Sequence, residues 1–105
     1  MLLAPPVDGP IRGNWTPISN LAFPYGRLTL TKGQISWQRC KRVPYRAKKH
    51  GKNIALTIRI DRPCAAFARG QNVLLIHRSG KAADVKVYRG AIDPKRLYLE
   101  FAMTR

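Results

Sequence analysis

The sequence predicts an all-β fold: a small antiparallel barrel or sandwich of six to eight strands, with at most one short helix. Three observations carry that expectation. Apolar and polar residues alternate with period two along most of the chain, as half-buried strands require. Turn residues punctuate the alternation about every ten residues. Only Pro63 to Arg69, PCAAFAR, reads as helical, and it is long enough for one or two turns. A chain of 105 residues forms one domain with a real core. That domain is placed at residues 11 to 105. Residues 1 to 10 contain three prolines and are expected to be a loose, flexible arm.

The elements follow in order. An opening strand is expected to include Ile11 to Ser19. Arg27 to Gln38 forms a hairpin turning at Lys32-Gly33. Thr31 then faces Gln34, Leu30 faces Ile35, Thr29 faces Ser36 and Leu28 faces Trp37, which puts the apolar pairs on one side. Residues 53 to 61 turn Ile54, Leu56, Ile58 and Ile60 one way, and Ala55, Thr57 and Arg59 the other. Residues 72 to 78, NVLLIHR, are an apolar run whose inward face the pattern leaves open. Residues 83 to 89 point Val85 and Val87 inward and Lys86 and Tyr88 outward. Residues 96 to 103 alternate, with Leu97, Leu99, Phe101 and Met103 on one face. Between them stand Pro24-Tyr25-Gly26, His50-Gly51-Lys52, Arg69-Gly70-Gln71, Ser79-Gly80-Lys81 and Asp93-Pro94, all turn chemistry.

The opening strand carries Gly13-Asn14-Trp15. With the antiparallel meander and the late strand bearing cations, it resembles the calycin group, which includes lipocalins and smaller lipocalin-like bacterial domains. The resemblance implies a barrel with Trp15 closing one end. A central and a later cysteine are also similar to some small exported bacterial members.

Charge is the strongest functional signal. Twenty Lys and Arg face five acids, giving a net charge of +15. Such a chain is drawn to an anionic macromolecule or surface: an acidic protein, nucleic acid or lipid headgroups. Seven cations fall in the fourteen residues from Arg39 to Lys52. They leave the first hairpin and are expected to cover the link to the next strand. The candidate binding residues are Arg39, Lys41, Arg42, Arg46, Lys48, Lys49 and Lys52, with Arg59 nearby and Tyr45 available for stacking. A charge run is also what a solvated loop beside an edge strand looks like.

Cys40 and Cys64 leave two readings. An exported protein would bridge them, and closing a loop of about 24 residues is worth roughly 3 kcal/mol. In the cytosol both would stay reduced. The bridge, and with it export to the periplasm or medium, is the expectation. No apolar run approaches the ~18 to 20 residues that span a bilayer. The opening MLLAPPVDGP lacks a cationic start and a long apolar stretch, so it reads as a linker or the remainder of a trimmed leader.

Catalytic chemistry finds little support. Asp8 lies in the arm, Asp93 precedes a turn proline, Asp61 ends a strand and Glu100 faces outward towards cross-strand cations. A two-carboxylate site is therefore not expected. Cys40, His50, Cys64 and His77 lack the short spacings of a zinc clip, so neither metal nor cofactor is expected. Ser79-Gly80-Lys81 is a turn rather than a phosphate-binding loop. The enzymatic alternative is a toxin-like, metal-independent ribonuclease with His50 and His77 exchanging protons. His50 is placed in a loop and His77 half-buried on a strand. A third possibility is an inhibitor or immunity-type protein docking on an acidic enzyme cleft. The leading expectation is a non-enzymatic binding protein.

Overall fold

The computed structural model describes residues 6 to 105 and folds them into eight antiparallel strands that close into one barrel. The strands are β1 (Gly13–Pro17), β2 (Leu28–Thr31), β3 (Gln34–Trp37), β4 (Cys40–His50), β5 (Asn53–Ile60), β6 (Gly70–Ser79), β7 (Ala82–Arg89) and β8 (Leu97–Thr104). Each pairs with the next, and β8 returns to β1 through Thr16↔Thr104 and Pro17↔Met103. Of the two expected architectures it is therefore the barrel.

Sequential order sorts the connections by end. Lys32-Gly33, Gly51-Lys52 and Gly80-Lys81 are two-residue turns at one end, here the hairpin end. Each contains a glycine with φ between 62° and 73°, which a tight hairpin demands and other residues resist. Longer loops, residues 18 to 27, 61 to 69 and 90 to 96, gather at the opposite loop end with the Gln38-Arg39 turn.

The first hairpin has the expected register, Leu28↔Trp37 through Thr31↔Gln34. Leu28, Leu30, Ile35 and Trp37 all enter the core. On β5, Leu56, Ile58 and Ile60 do the same. β6, undecided from pattern, turns Leu74 and Ile76 into the core, with Asn72 fully buried beside them. Asn72 is satisfied there: its amide donates to the Ala68 carbonyl at 2.8 Å, and the Tyr98 hydroxyl donates to its side-chain oxygen at 2.5 Å.

Two tryptophans fill the lumen from its ends. Trp15 is fully buried at the hairpin end. Its indole N–H donates to Ile11 O at 2.8 Å, and the Arg105 guanidinium lies 4.5 Å from its ring centroid. Trp37 sits towards the loop end among Tyr25, Phe67 and Phe101, with ring centroids 5.1 to 5.4 Å away. These side chains occupy the space that larger barrels keep for a ligand.

Four expectations are corrected. Pro63 to Arg69 is not helical: Ala65 has a left-handed φ of 49°, and Cys64 bridges back to Phe67 instead. The Arg39 to Lys52 segment is not a linking loop, because β4 runs through it to His50 with Tyr45 in the core and Val43 and Ala47 packed against it. Leu97 does not join the inward row of β8. A bulge at Val87/Tyr88 shifts the register there, so that Leu97 pairs with Tyr88 and is itself left exposed. Finally, Asp8 is no part of a loose arm. It is 5% exposed and precedes a 3₁₀ turn, Gly9–Ile11, that packs Ile11 into the core. Residues 1 to 5 of the expected arm lie outside the described residues.

Candidate functional site

β4 has two partners in succession. It pairs with β3 from Cys40 to Pro44, then with β5 from Tyr45 to His50. Proline explains the handover. The Tyr45 N–H donates to Gly33 O at 2.9 Å, on the β3 side. Backbone alternation then aims Pro44 at β5, where a proline has no N–H to give and the ladder stops. Arg42, at a left-handed φ of 51°, bends the strand further, and its N–H is taken by the Ser36 hydroxyl at 3.0 Å. β5 meanwhile continues along β6 to Ile60↔Gly70. Past Tyr45↔Ile58, β4 and β5 therefore part.

The gap is tied shut at its far end. Cys40 and Cys64 form a disulfide with Cα atoms 5.3 Å apart. Between the last rung and the bridge lies a cleft of about 610 Å³. Arg39, Lys41 and Arg42 line one side, and Arg59, Asp61 and Arg62 the other. All five cations are exposed, and none is ion-paired among the described residues, where the salt bridges are Arg12–Asp8 and Lys86–Glu100. Five positive charges around one carboxylate make a site that attracts a multiply charged anion.

Backbone strain collects at the same place. The described residues contain three non-glycine positions with left-handed φ: Gln38, Arg42 and Ala65. Arg42 lines the cleft, Gln38 precedes its Arg39 rim, and Ala65 follows the bridged Cys64. Each such position costs about 1 to 2 kcal/mol. Clustering of that kind marks sites held in shape by their surroundings.

The expected binding residues are thus divided. Arg39, Lys41, Arg42 and Arg59 come together at the cleft. Arg46 lies beside a neighbouring outer hollow of about 510 Å³ that Arg59 shares. Lys48, Lys49 and Lys52 sit at or near the hairpin end, where Lys32, Lys81 and Arg105 also lie, so positive charge as such is not confined to one side. Arg62 was not singled out by sequence reasoning. Its signal was the bridge itself, which brings the neighbourhood of Cys64 beside Arg39 and Lys41.

Tyr45 is not available for stacking. It is 8% exposed, and its hydroxyl donates to the Asp8 carboxylate while lying 2.7 Å from Thr31 O. Burial, the Asp8 hydrogen bond and the Asp8 charge all push its phenol pKa up. Burial would raise Asp8, but hydrogen bonds from Arg12 and Tyr45 and the Arg12 charge outweigh it, so Asp8 titrates below the usual range. The group anchors the chain before β1 to β4 and does not line the cleft.

The histidines lie elsewhere. His50 ends β4, opposite Asn53, and is not in a loop. His77 is exposed rather than half-buried, and its Nδ1 lies 2.8 Å from Asn53 Oδ1. The register thus sets both rings on one outer row, one on either side of Asn53. Neither lines the cleft. The described residues contain no cluster of three metal-ligating side chains.

Comparison with protein-family models, with curated proteins and with solved structures finds no match. Fold and site together define a small closed β-barrel with a basic, disulfide-tied cleft in its wall. No helix among the described residues is long and apolar enough to cross a membrane.

Proposed function

We propose that the protein is a binding module that takes an anionic group of its partner into the cleft between β4 and β5. The observation that carries this reading is the set of five exposed, unpaired cations around a gap that Pro44 opens and Cys40–Cys64 closes. The cleft holds no histidine and no thiol, and its one carboxylate is Asp61. Such a lining suits recognition rather than proton transfer. A lumen packed by Trp15 and Trp37 favours the outer wall as the place where a ligand sits.

The barrel order, Gly13-Asn14-Trp15 at its opening and the burial of Trp15 support a lipocalin-like relationship. The bridge supports an exported protein, since disulfides persist in oxidising compartments. Within that reading the partner is an acidic protein, a nucleic acid or a phosphate-bearing surface. Binding to labelled RNA, DNA, heparin and an acidic protein over a salt series separates these. Binding should weaken as salt rises and in Arg59→Gln/Arg62→Gln. Binding unaffected by those substitutions removes the cleft from the function.

A second reading keeps the ribonuclease, favoured by the shared row of His50 and His77. The Asn53 contact fixes the orientation of the His77 ring, as a proton-transfer site needs. RNA cleavage that disappears in His50→Ala and in His77→Ala supports it. Cleavage that survives both changes rules it out.

A further inference from the structure

The loop end carries a surface that the cleft does not use. Among the described residues the exposed large hydrophobic side chains are Ile18 (56%), Leu21 (71%), Phe23 (64%) and Leu97 (36%). Ile18, Leu21 and Phe23 belong to the β1–β2 loop, and Leu97 opens β8 at the same end. Leu21 and Leu97 line one shallow hollow with Leu99, and Leu21 lines a second one with Tyr25, Tyr98 and Arg89. The hairpin end shows no such side chain among the described residues.

The loop is held by other groups. Its anchors are hydrogen bonds to β8 and within the loop, with Ala22 and Tyr25 packed on the core. Ile18 N–H donates to Ala102 O at 2.9 Å, the Ser19 hydroxyl takes the Ala102 N–H at 2.8 Å, and Phe23 N–H donates to Ser19 O at 2.8 Å. Ala22 turns into the core while Leu21 and Phe23 on either side turn out. The loop is thus anchored with its apolar side chains displayed to water. Exposing them forfeits the gain that burial would bring, which marks an interaction surface.

Charge says what covers it. Arg27, Arg69, Arg89, Lys95 and Arg96 are exposed on the same end, in connections or at strand ends, and the cleft residues Arg39 and Arg62 lie at that end too. The acids there are Asp61, Asp93 and Glu100; the Asp93 carboxylate already caps the Lys95 N–H at 2.9 Å, and Glu100, which lines the Leu21–Leu97 hollow, is paired with Lys86 at 3.9 Å. Apolar side chains projecting from a ring of cations match an anionic bilayer, whose headgroups take the charge and whose acyl boundary takes the apolar tips. A soluble polyanion without apolar surface, such as a polysaccharide or polyglutamate, would satisfy the cations but not Leu21 and Phe23. We propose that the loop end docks on an anionic lipid surface, with Leu21 and Phe23 inserted below the headgroups and Arg27, Arg69, Lys95 and Arg96 on the phosphates. The surface is separate from the β4–β5 cleft, which on docking stays beside the membrane with its cations available.

The test uses the full chain and sedimentation with two kinds of vesicle, phosphatidylcholine alone and phosphatidylcholine mixed with phosphatidylglycerol. Binding is expected to the mixed vesicles and to fall as salt rises. Leu21→Ser/Phe23→Ser should weaken it at least about tenfold, since both side chains lose apolar burial. The substituted positions are exposed, so an unchanged circular dichroism spectrum and an intact bridge by mass verify the fold. In Phe23→Trp, emission should shift to the blue on mixed vesicles and be quenched by brominated acyl chains. Equal vesicle binding by Leu21→Ser/Phe23→Ser, or no quenching, overturns the insertion. Binding to heparin or polyglutamate but to neither vesicle overturns it in favour of a soluble acidic partner. Arg59→Gln/Arg62→Gln, which keeps Leu21 and Phe23, should retain the blue shift and quenching of Phe23→Trp even where affinity falls with the lost charge, so loss of the cleft is distinguishable from loss of insertion.

Discussion

Cys40 and Cys64 are joined at the point where the gap between β4 and β5 must close again, five residues along β4 from the last rung at Tyr45↔Ile58. The bridge therefore acts both on stability and on the shape of the candidate site.

Replacing both cysteines by alanine should cost about 3 kcal/mol, the worth of closing a loop of this length. Urea unfolding with and without reductant measures it. The same change should weaken ligand binding, because Arg39 and Arg62 lose their fixed separation. Identical unfolding curves under both conditions would show that the bridge does not constrain the chain.

Pro44→Ala restores the backbone donor aimed at β5. One added backbone hydrogen bond is worth about 0.5 to 1.5 kcal/mol. Losing the proline gives back about 0.4 to 1 kcal/mol to the unfolded chain. Stability should thus stay within about 1 kcal/mol, while the ladder extends and the cleft narrows. The expected signs are slow hydrogen exchange at the new amide and weaker anion binding. A fast-exchanging amide there would mean that something other than Pro44 ends the ladder.

The Asp8–Tyr45 contact predicts acid sensitivity of a definite sign. Asp8 titrates below its ordinary value of 3.8 in the folded protein. Its contribution is therefore fully present above that value and is lost as pH falls through the lower, folded one. Asp8→Asn should destabilise the protein by about 1 to 3 kcal/mol at neutral pH and flatten this acid limb. Thermal melts of both proteins between neutral and acid pH measure it. A parallel acid limb in the variant would assign the loss to other carboxylates.

Arg105→Ala should test the closure of the hairpin end. The guanidinium covers the Trp15 ring and donates to the carbonyls of Pro10 and Arg12 at 3.0 and 2.8 Å. A stability loss of about 1 to 2 kcal/mol is expected, with binding at the cleft unchanged. Urea unfolding checks the first part and a binding isotherm the second.

Most of the barrel is legible in the chain because strand burial has a strict period of two. Leu28 to Trp37 reveal even their register, since one residue of slip would expose every apolar side chain. β4 is harder to read. Its five cations, Lys41, Arg42, Arg46, Lys48 and Lys49, mask an inward row made of Val43, Tyr45 and Ala47, and exposed strand positions tolerate charge as readily as loops do. Leu97 misleads for a different reason: a bulge is set by backbone geometry that alternation does not record. The cleft is half legible. Arg39, Lys41, Arg42 and Arg59 are visible as charge, but their meeting depends on Pro44 and on the partner of Cys40. Asp8 was hidden because prolines disguised a segment that tertiary contacts hold in place.

The central claim is that the five cleft cations hold an anionic partner. Its most direct test compares Arg59→Gln/Arg62→Gln with Lys48→Gln/Lys49→Gln/Lys52→Gln in titrations of one fluorescent anionic ligand, such as heparin, across a salt series. The first pair should weaken binding by about tenfold or more, the scale of one lost charge-assisted contact. The second set, which removes more charge but none from the cleft, should weaken it less and in proportion to net charge. Equal losses, or a larger loss from the lysines, would contradict a cleft-centred site and leave only diffuse attraction to a basic protein.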